Sequence, residues 1–156
     1  MGPEGRLFSY EIREDFYRAS QRTVQTYLGE CPQWTIHLAD ALEGIQERNA
    51  DRLTIDVPEP WKFLPVIKET LRPGGIALFF MANAIQIKSL HDGFLDVEGF
   101  ARWETIETLL RPWHVKGMSV RPTHRMTAHT GFITVARRVA DAKDAETERH
   151  EEGGTP

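Results

Sequence analysis

Strand-like and helix-like stretches alternate along the first hundred residues, each closed by breakers, and this alternation constrains the fold more than any single motif. "RLFSYEI" (6–12), "WTIHLAD" (34–40), "DRLTIDV" (51–57) and "GIALFFMA" (75–82) are rich in the β-branched and aromatic residues of strands. Residues 13–28 have helical spacing closed by Gly29, residues 61–71 have the same spacing ended by "RPGG" (72–75), and 84–95 read as a helix after the fourth strand. Residues 41–47 hold at most a short helix. A further helix is expected over 102–110, then strands at "WHVKGMSVRP" (113–122) and "GFITVARRV" (131–139). This order reads as an open α/β sheet, mostly parallel, with an antiparallel hairpin at its end. "GIALFFMA" is the most apolar strand, so it is expected at the centre of the sheet with both faces covered.

In such sheets ligands sit beyond the carboxyl ends of the strands, and here those ends are polar. Glu11 closes the first strand and Asp40 the second. Asp56 closes the third, and Asn83 with Gln86 follows the fourth. Each has a plainer explanation beside the functional one. An acid such as Glu11 favours the start of a helix, and Asp40 can cap the short segment after it. Repetition at four strand tips is harder to assign to local structure. After Asp56, Pro58 and Pro60 remove two backbone donors and fix φ, so the chain must leave the sheet as a stiff loop. Trp61 beyond them is either an aromatic wall of a pocket or the first core contact of the next helix, the core reading being preferred.

Composition narrows the class. The 156 residues suit one domain, 1–139, followed by an acidic tail, 140–156, expected to be disordered. From Val139 onward there are six acidic and two basic residues, which leaves 17 of each sign before it. A neutral body gives no general support for nucleic-acid binding, so any such surface must be local. The single cysteine, Cys31, excludes an internal disulfide framework and suits a reducing, cytoplasmic setting. No apolar run is long enough to span a membrane as a helix. His114, His124 and His129 lack the paired spacing and neighbouring cysteines of a zinc site, so no metal is expected. Arg137 and Arg138 read as solvated strand-end charges, with a phosphate-binding face as the alternative.

Several segments together resemble one family. "GPEGRLFSYEIREDF", "DVPEPW", "LRPGG" and "LLRPWHVKGMSVRPTHRMTAHTGFITVARR" are similar to the tRNA (adenine-58-N1)-methyltransferases, class I enzymes that use S-adenosylmethionine. The resemblance covers nearly all of residues 2–139, and "RPTHRMTAHTGF" is its most specific part. It implies a Rossmann-like class I methyltransferase sheet, tRNA as substrate and a homotetramer. It assigns Glu11 to the cofactor ribose, Asp40 to the cofactor adenine and Asp56 to the catalytic pocket. Gln86, Arg121, Arg125, His129 and Thr130 are implied at the substrate adenosine. A carboxylate suits the ribose because its two oxygens can accept from vicinal hydroxyls. At Asp56 it would accept from the adenine amino group as the ring becomes cationic, an interaction stronger in the transition state than before it. The base must also leave its stack to be reached. Two positions depart from the family pattern, Ala39 where Gly is usual and Ala82 where Pro is frequent.

The resemblance also implies a first strand and a glycine-rich loop ahead of Arg6, which this sequence does not contain. An N-terminally truncated chain, or an internal start at Met1, is therefore expected, with the missing strand belonging between those that end on Glu11 and Asp56. A chain of that kind could be a non-catalytic structural or RNA-docking subunit. A dehydrogenase half is the weaker alternative, since no G-x-G-x-x-G is present.

Overall fold

A computed structural model describes residues 2, 4–127 and 129–140. Apart from Ala140, the expected acidic tail lies outside the described residues. The chain forms two compact units divided between Gln46 and Glu47.

The first unit is a strand–helix–strand motif: β1 (Leu7–Glu11), α1 (Glu14–Leu28) and β2 (Trp34–Leu38). The strands pair in parallel, with Leu7 opposite Trp34 and Glu11 opposite Leu38. Helix α1 turns Tyr17, Ser20 and Val24 inward as a half-buried stripe, the i, i+3, i+7 spacing of one helical face. Its opposite side is charged, and the Arg13 guanidinium lies 3.8 Å from the centroid of the Phe16 ring. Across the strands, Trp34 Nε1 donates to Ser9 Oγ (3.0 Å), and the Tyr10 ring packs on His37 with centroids 4.8 Å apart. Residues 41–47, expected to hold at most a short helix, form turns and bends.

The second unit contains β3 (Ala50–Ile55), a 3-10 turn (Pro60–Phe63), α2 (Leu64–Thr70), β4 (Leu71–Met81), α3 (Ala84–Asp96), β5 (Phe100–Ile106), β6 (Trp113–Lys116), β7 (Ser119–Pro122) and β8 (Phe132–Arg138). Four strands form one sheet in the order β3-β4-β8-β5. β3 and β4 run parallel, and β8 enters antiparallel between β4 and β5. One sheet face is closed by α2 and α3. Its core contains Ile55, Leu64, Ile67, Phe79, Met81, Leu90 and Phe94, with Trp61 packed partly buried against it. Each fully buried side chain of this kind contributes about 1.5–3 kcal/mol. Trp61 is thus the core contact that was the preferred reading. Phe94 is the hub of an aromatic cluster, stacked on Trp103 (5.0 Å, 18°) and edge-on to Phe79 (5.7 Å). Thr134 is fully buried, and its hydroxyl hydrogen-bonds Thr105 Oγ1 (2.6 Å), which in turn bonds His91 Nε2 (2.9 Å), tying β8, β5 and α3 together.

Four expectations change. The helix expected over 102–110 does not form: β5 occupies Phe100–Ile106, with Ala101, Trp103 and Thr105 half-buried and Arg102, Glu104 and Ile106 exposed. That is the period of two of a strand, and pairing with β8 outweighs the helical spacing. Arg102 takes a left-handed φ of 53° where the register slips between Ala101 and Glu104. Residues 113–122 are not one strand but the hairpin β6–β7, folded about Gly117 at φ 57°. Residues 131–139 pair with β4 and β5 rather than with that hairpin. Finally, β4 is central, but one of its faces is only partly covered: Ile76 and Leu78 are half-buried and Phe80 is 38% exposed.

Candidate active site

The polar strand ends fall into two groups, one in each unit. In the first unit, parallel pairing places Glu11 and the β2 exit side by side, and the Ala39 N–H donates to the Glu11 carbonyl (3.0 Å). Both acids also serve the local backbone. Glu11 Oε1 accepts from the Arg13 N–H (2.8 Å) as the chain turns into α1. Asp40 Oδ1 accepts from the Leu42 N–H (2.8 Å), an Asx turn that replaces the expected helix cap. A carboxylate has about four lone-pair sites, so each retains acceptor capacity after these bonds.

In the second unit, the register Ile55 opposite Phe79 brings the ends of β3 and β4 to the same sheet edge. Asp56 is the first residue past β3 and is exposed. Gln86 ties this exit to the next one. Its Oε1 accepts from the N–H groups of Ala82 (2.8 Å) and Asn83 (3.2 Å), and its Nε2 donates to the Pro58 carbonyl (2.9 Å). Asn83 completes the arrangement as the N-cap of α3, its Oδ1 accepting from the Gln86 N–H (3.0 Å). This is a capping box, the reciprocal bonding that Asn-x-x-Gln before an apolar run encodes. The amide of Gln86 is therefore largely committed to backbone.

The loop before β8 reaches the same edge. His129 Nε2 lies 2.7 Å from the Ala82 carbonyl oxygen and Nδ1 lies 3.0 Å from Glu107 Oε1, while the ring packs on Phe132 (4.8 Å). Glu107 and the carbonyl together hold the His129 pKa above its ordinary value, with desolvation opposing them. Gly131 allows this approach, because a Cβ there would lie 2.5 Å from two atoms of the Phe80 ring and 3.2 Å from the Met81 carbonyl oxygen. Thr130 lies between the two. Arg121 stands on β7 opposite His114, and Arg125 follows in the stretch between β7 and β8; both are exposed.

The bonds of Gln86 to Pro58 and Ala82, and of His129 to Ala82, thus link the loop after β3, the β4 exit and the loop before β8, while Glu11 and Asp40 lie at the strand ends of the first unit. Nothing in the described residues draws Arg121 or Arg125 into either group. Among the described residues, no group of three or more His, Cys, Asp or Glu side chains is arranged to hold a metal ion. A hollow of about 410 Å³ in the first unit is lined by Arg6, Phe8, Gln33 and Thr35 among others, and contains none of these site residues. Sequence reasoning missed Glu107. Its stretch was assigned to a helix, and no local pattern announces a partner 22 residues away.

Solved structures that superpose on the chain give it a class I methyltransferase fold. A S-adenosylmethionine-dependent O-methyltransferase from Thermotoga maritima superposes with a TM-score of 0.79 at 31% identity, over 90% of this chain and 52% of that one. The tRNA (m1A58) methyltransferase TrmI from Aquifex aeolicus gives 0.74 at 22% identity, over 87% of this chain and 54% of that one. By sequence, this chain is similar to curated proteins named tRNA (adenine-N1)-methyltransferases. The enzyme TrmI of Methanocaldococcus jannaschii, named for adenines 57 and 58, is 27% identical across 96% of this chain and 61% of the relative. TrmI of Thermus thermophilus is 25% identical across 88% of this chain and 54% of the relative. The chain thus spans little more than half the length of the curated relatives it matches. No protein-family model matches it.

Proposed function

We propose that this chain contributes to S-adenosylmethionine-dependent methylation of N1 of an adenine, position 58, in the T-loop of tRNA. The observation that carries the reading is the Gln86 bridge, which joins the Asp56 exit to the β4 tip in a chain whose homologues catalyse this reaction. Glu11 and Asp40 would accept from the ribose hydroxyls and the adenine amino group of the cofactor. Their neighbouring strand tips and remaining lone pairs suit a diol and an amine. S-adenosylmethionine would supply the electrophilic methyl group. Asp56 accepts from the exocyclic amino group of the target base and stabilises the positive charge that N1 alkylation places on the ring. Holding the base in line should provide much of the remaining acceleration. His129 and Thr130 border that base, and Arg121 and Arg125 contact the flanking phosphates or sugar. This reading places the chain in the cytoplasm. Among the described residues no helix is long and apolar enough to cross a membrane.

A second reading is a non-catalytic structural or RNA-docking subunit, favoured by the apolar side chains that hairpin β6–β7 leaves exposed. The two are separated by incubating the chain with labelled S-adenosylmethionine and unmodified tRNA. Label on N1 of the T-loop adenine supports the first reading. No transfer by the chain alone, with transfer restored by a complementary methyltransferase polypeptide, supports the second. Assembly with further copies of itself, up to the tetramer, is supported by the apolar side chains that hairpin β6–β7 leaves in solvent, including Trp113, Val115, Met118 and Val120.

A further inference from the structure

We propose that Glu107 and His129 are positioning residues: the imidazolium, held by Glu107, pins the Ala82 carbonyl and through Gln86 fixes the exit that bears Asp56. The proposal rests on the methyltransferase reading for its catalytic consequence but not for the clamp itself.

The argument starts from what each ring nitrogen faces. Nε2 meets a backbone carbonyl at 2.7 Å, which can only accept. Nδ1 meets a carboxylate oxygen at 3.0 Å, which also only accepts when ionised. A neutral imidazole has one N–H, so one of these contacts would set lone pair against lone pair. The imidazolium has two, and both contacts become charge-assisted. The Ala82–Asn83 peptide is then held from both sides, its carbonyl by His129 and its N–H by Gln86 Oε1. Gln86 passes the constraint to Pro58, two residues beyond Asp56.

Among the described residues, Glu107 is the charged group that acts on the ring. The β4 tip offers a carbonyl, β8 the Phe132 ring, and the segment after β5 the Glu107 carboxylate. Because the folded-state pKa of His129 is raised, the clamp is complete below the histidine pKa of the unfolded chain. It is lost as pH rises through the raised folded value. Glu107→Gln gives a distinct result. Its amide can donate to a neutral Nδ1 while Nε2–H still donates to Ala82, so the clamp survives deprotonation.

The test is an NMR titration of the full chain and of E107Q and H129A, following the His129 ring nitrogens and the backbone amides of Ala82 and Asn83. In the unmodified protein both ring nitrogens should be protonated below the transition, and the two amides should shift with the same midpoint. In E107Q the His129 midpoint should move to lower pH, and the amides should stay in their low-pH positions through the original transition. In H129A their pH dependence in this range should vanish. An ordinary histidine midpoint that E107Q leaves unchanged would overturn the proposal, as would Ala82 and Asn83 amides that ignore the titration. Methyl transfer should fall along the same curve in the unmodified protein, chiefly in kcat, and the fall should be blunted in E107Q. A kcat that does not follow the titration would refute the positioning role. Inactivity of all three proteins with the amide coupling intact would instead refute the methyltransferase reading and leave the clamp standing.

Discussion

Gln86→Ala removes three side-chain hydrogen bonds while keeping the helix in which the residue sits. The bonds lost are those from the Ala82 and Asn83 N–H groups and the one to the Pro58 carbonyl. Net hydrogen bonds are worth about 0.5–1.5 kcal/mol each, and here the lower end applies because the backbone partners are exposed and water can replace Gln86. The Asn83 cap survives, since it bonds the backbone of residue 86, and Ala gains a few tenths of a kcal/mol in helix propensity. The expected cost is therefore about 1–2 kcal/mol. At roughly 2–4 °C per kcal/mol for a chain of this size, Tm should fall by about 2–8 °C. The exposed Lys88–Asp92 pair, one turn along the same helix, is the control: Lys88→Ala should cost no more than about 0.5 kcal/mol. Hydrogen exchange gives the local readout. In Gln86→Ala the amides of Ala82 and Asn83 should exchange faster, while that of Leu90 in the helix core slows or quickens only with global stability. A variant as stable as the parent, with unchanged exchange at Ala82 and Asn83, would show that Gln86 does not join the two strand exits.

Gly131→Ala should cost about 1–3 kcal/mol in chemical unfolding, because its methyl meets the Phe80 ring and the backbone of Met81; a cost near zero would mean that the His129 loop does not pass so close to β4. The Asp51 carboxylate is held below its ordinary pKa by its hydrogen bond and charge contact with Arg72, whose Nε lies 2.7 Å from Oδ1. A depressed folded pKa stabilises the fold above the unfolded value and loses that contribution as pH falls through the folded value. Asp51→Asn should therefore flatten the acid limb of the stability curve between those two values, measured by urea unfolding at stepped pH. Replacing Trp113 and Val120 of the hairpin with Ser should lower the sedimentation coefficient of any assembled form and leave the unfolding of the β3-β4-β8-β5 sheet unchanged, because neither side chain enters its core.

Most of the scaffold was legible because its elements carry strong local signals. Helix α1 has its closing glycine, α3 follows a polar cap, and the apolar run of β4 begins after the breakers of "RPGG". β5 was not legible, since Trp103, Ile106 and Leu110 also fit helical spacing and only pairing with β8, some thirty residues later, decides between them. The site divides in the same way. The polar strand tips could be read from position, and the Asn83–Gln86 capping box was present in the spacing. The Gln86 bond to Pro58 and the Glu107–His129 pair depend on loops meeting across the sheet edge, which no local pattern encodes. Roles for Arg121 and Arg125 came from the resemblance alone, and the described contacts add nothing to them.

The central claim is that Asp56 steadies an adenine as it becomes cationic. It is tested most directly by labelled methyl transfer to unmodified tRNA with the parent protein and Asp56→Asn side by side. Transfer to N1 of the T-loop adenine should fall on the order of 10²–10³-fold in the variant, the usual cost of losing one electrostatic stabiliser of a transition state, while Tm stays the same. Equal rates for the two proteins would contradict it.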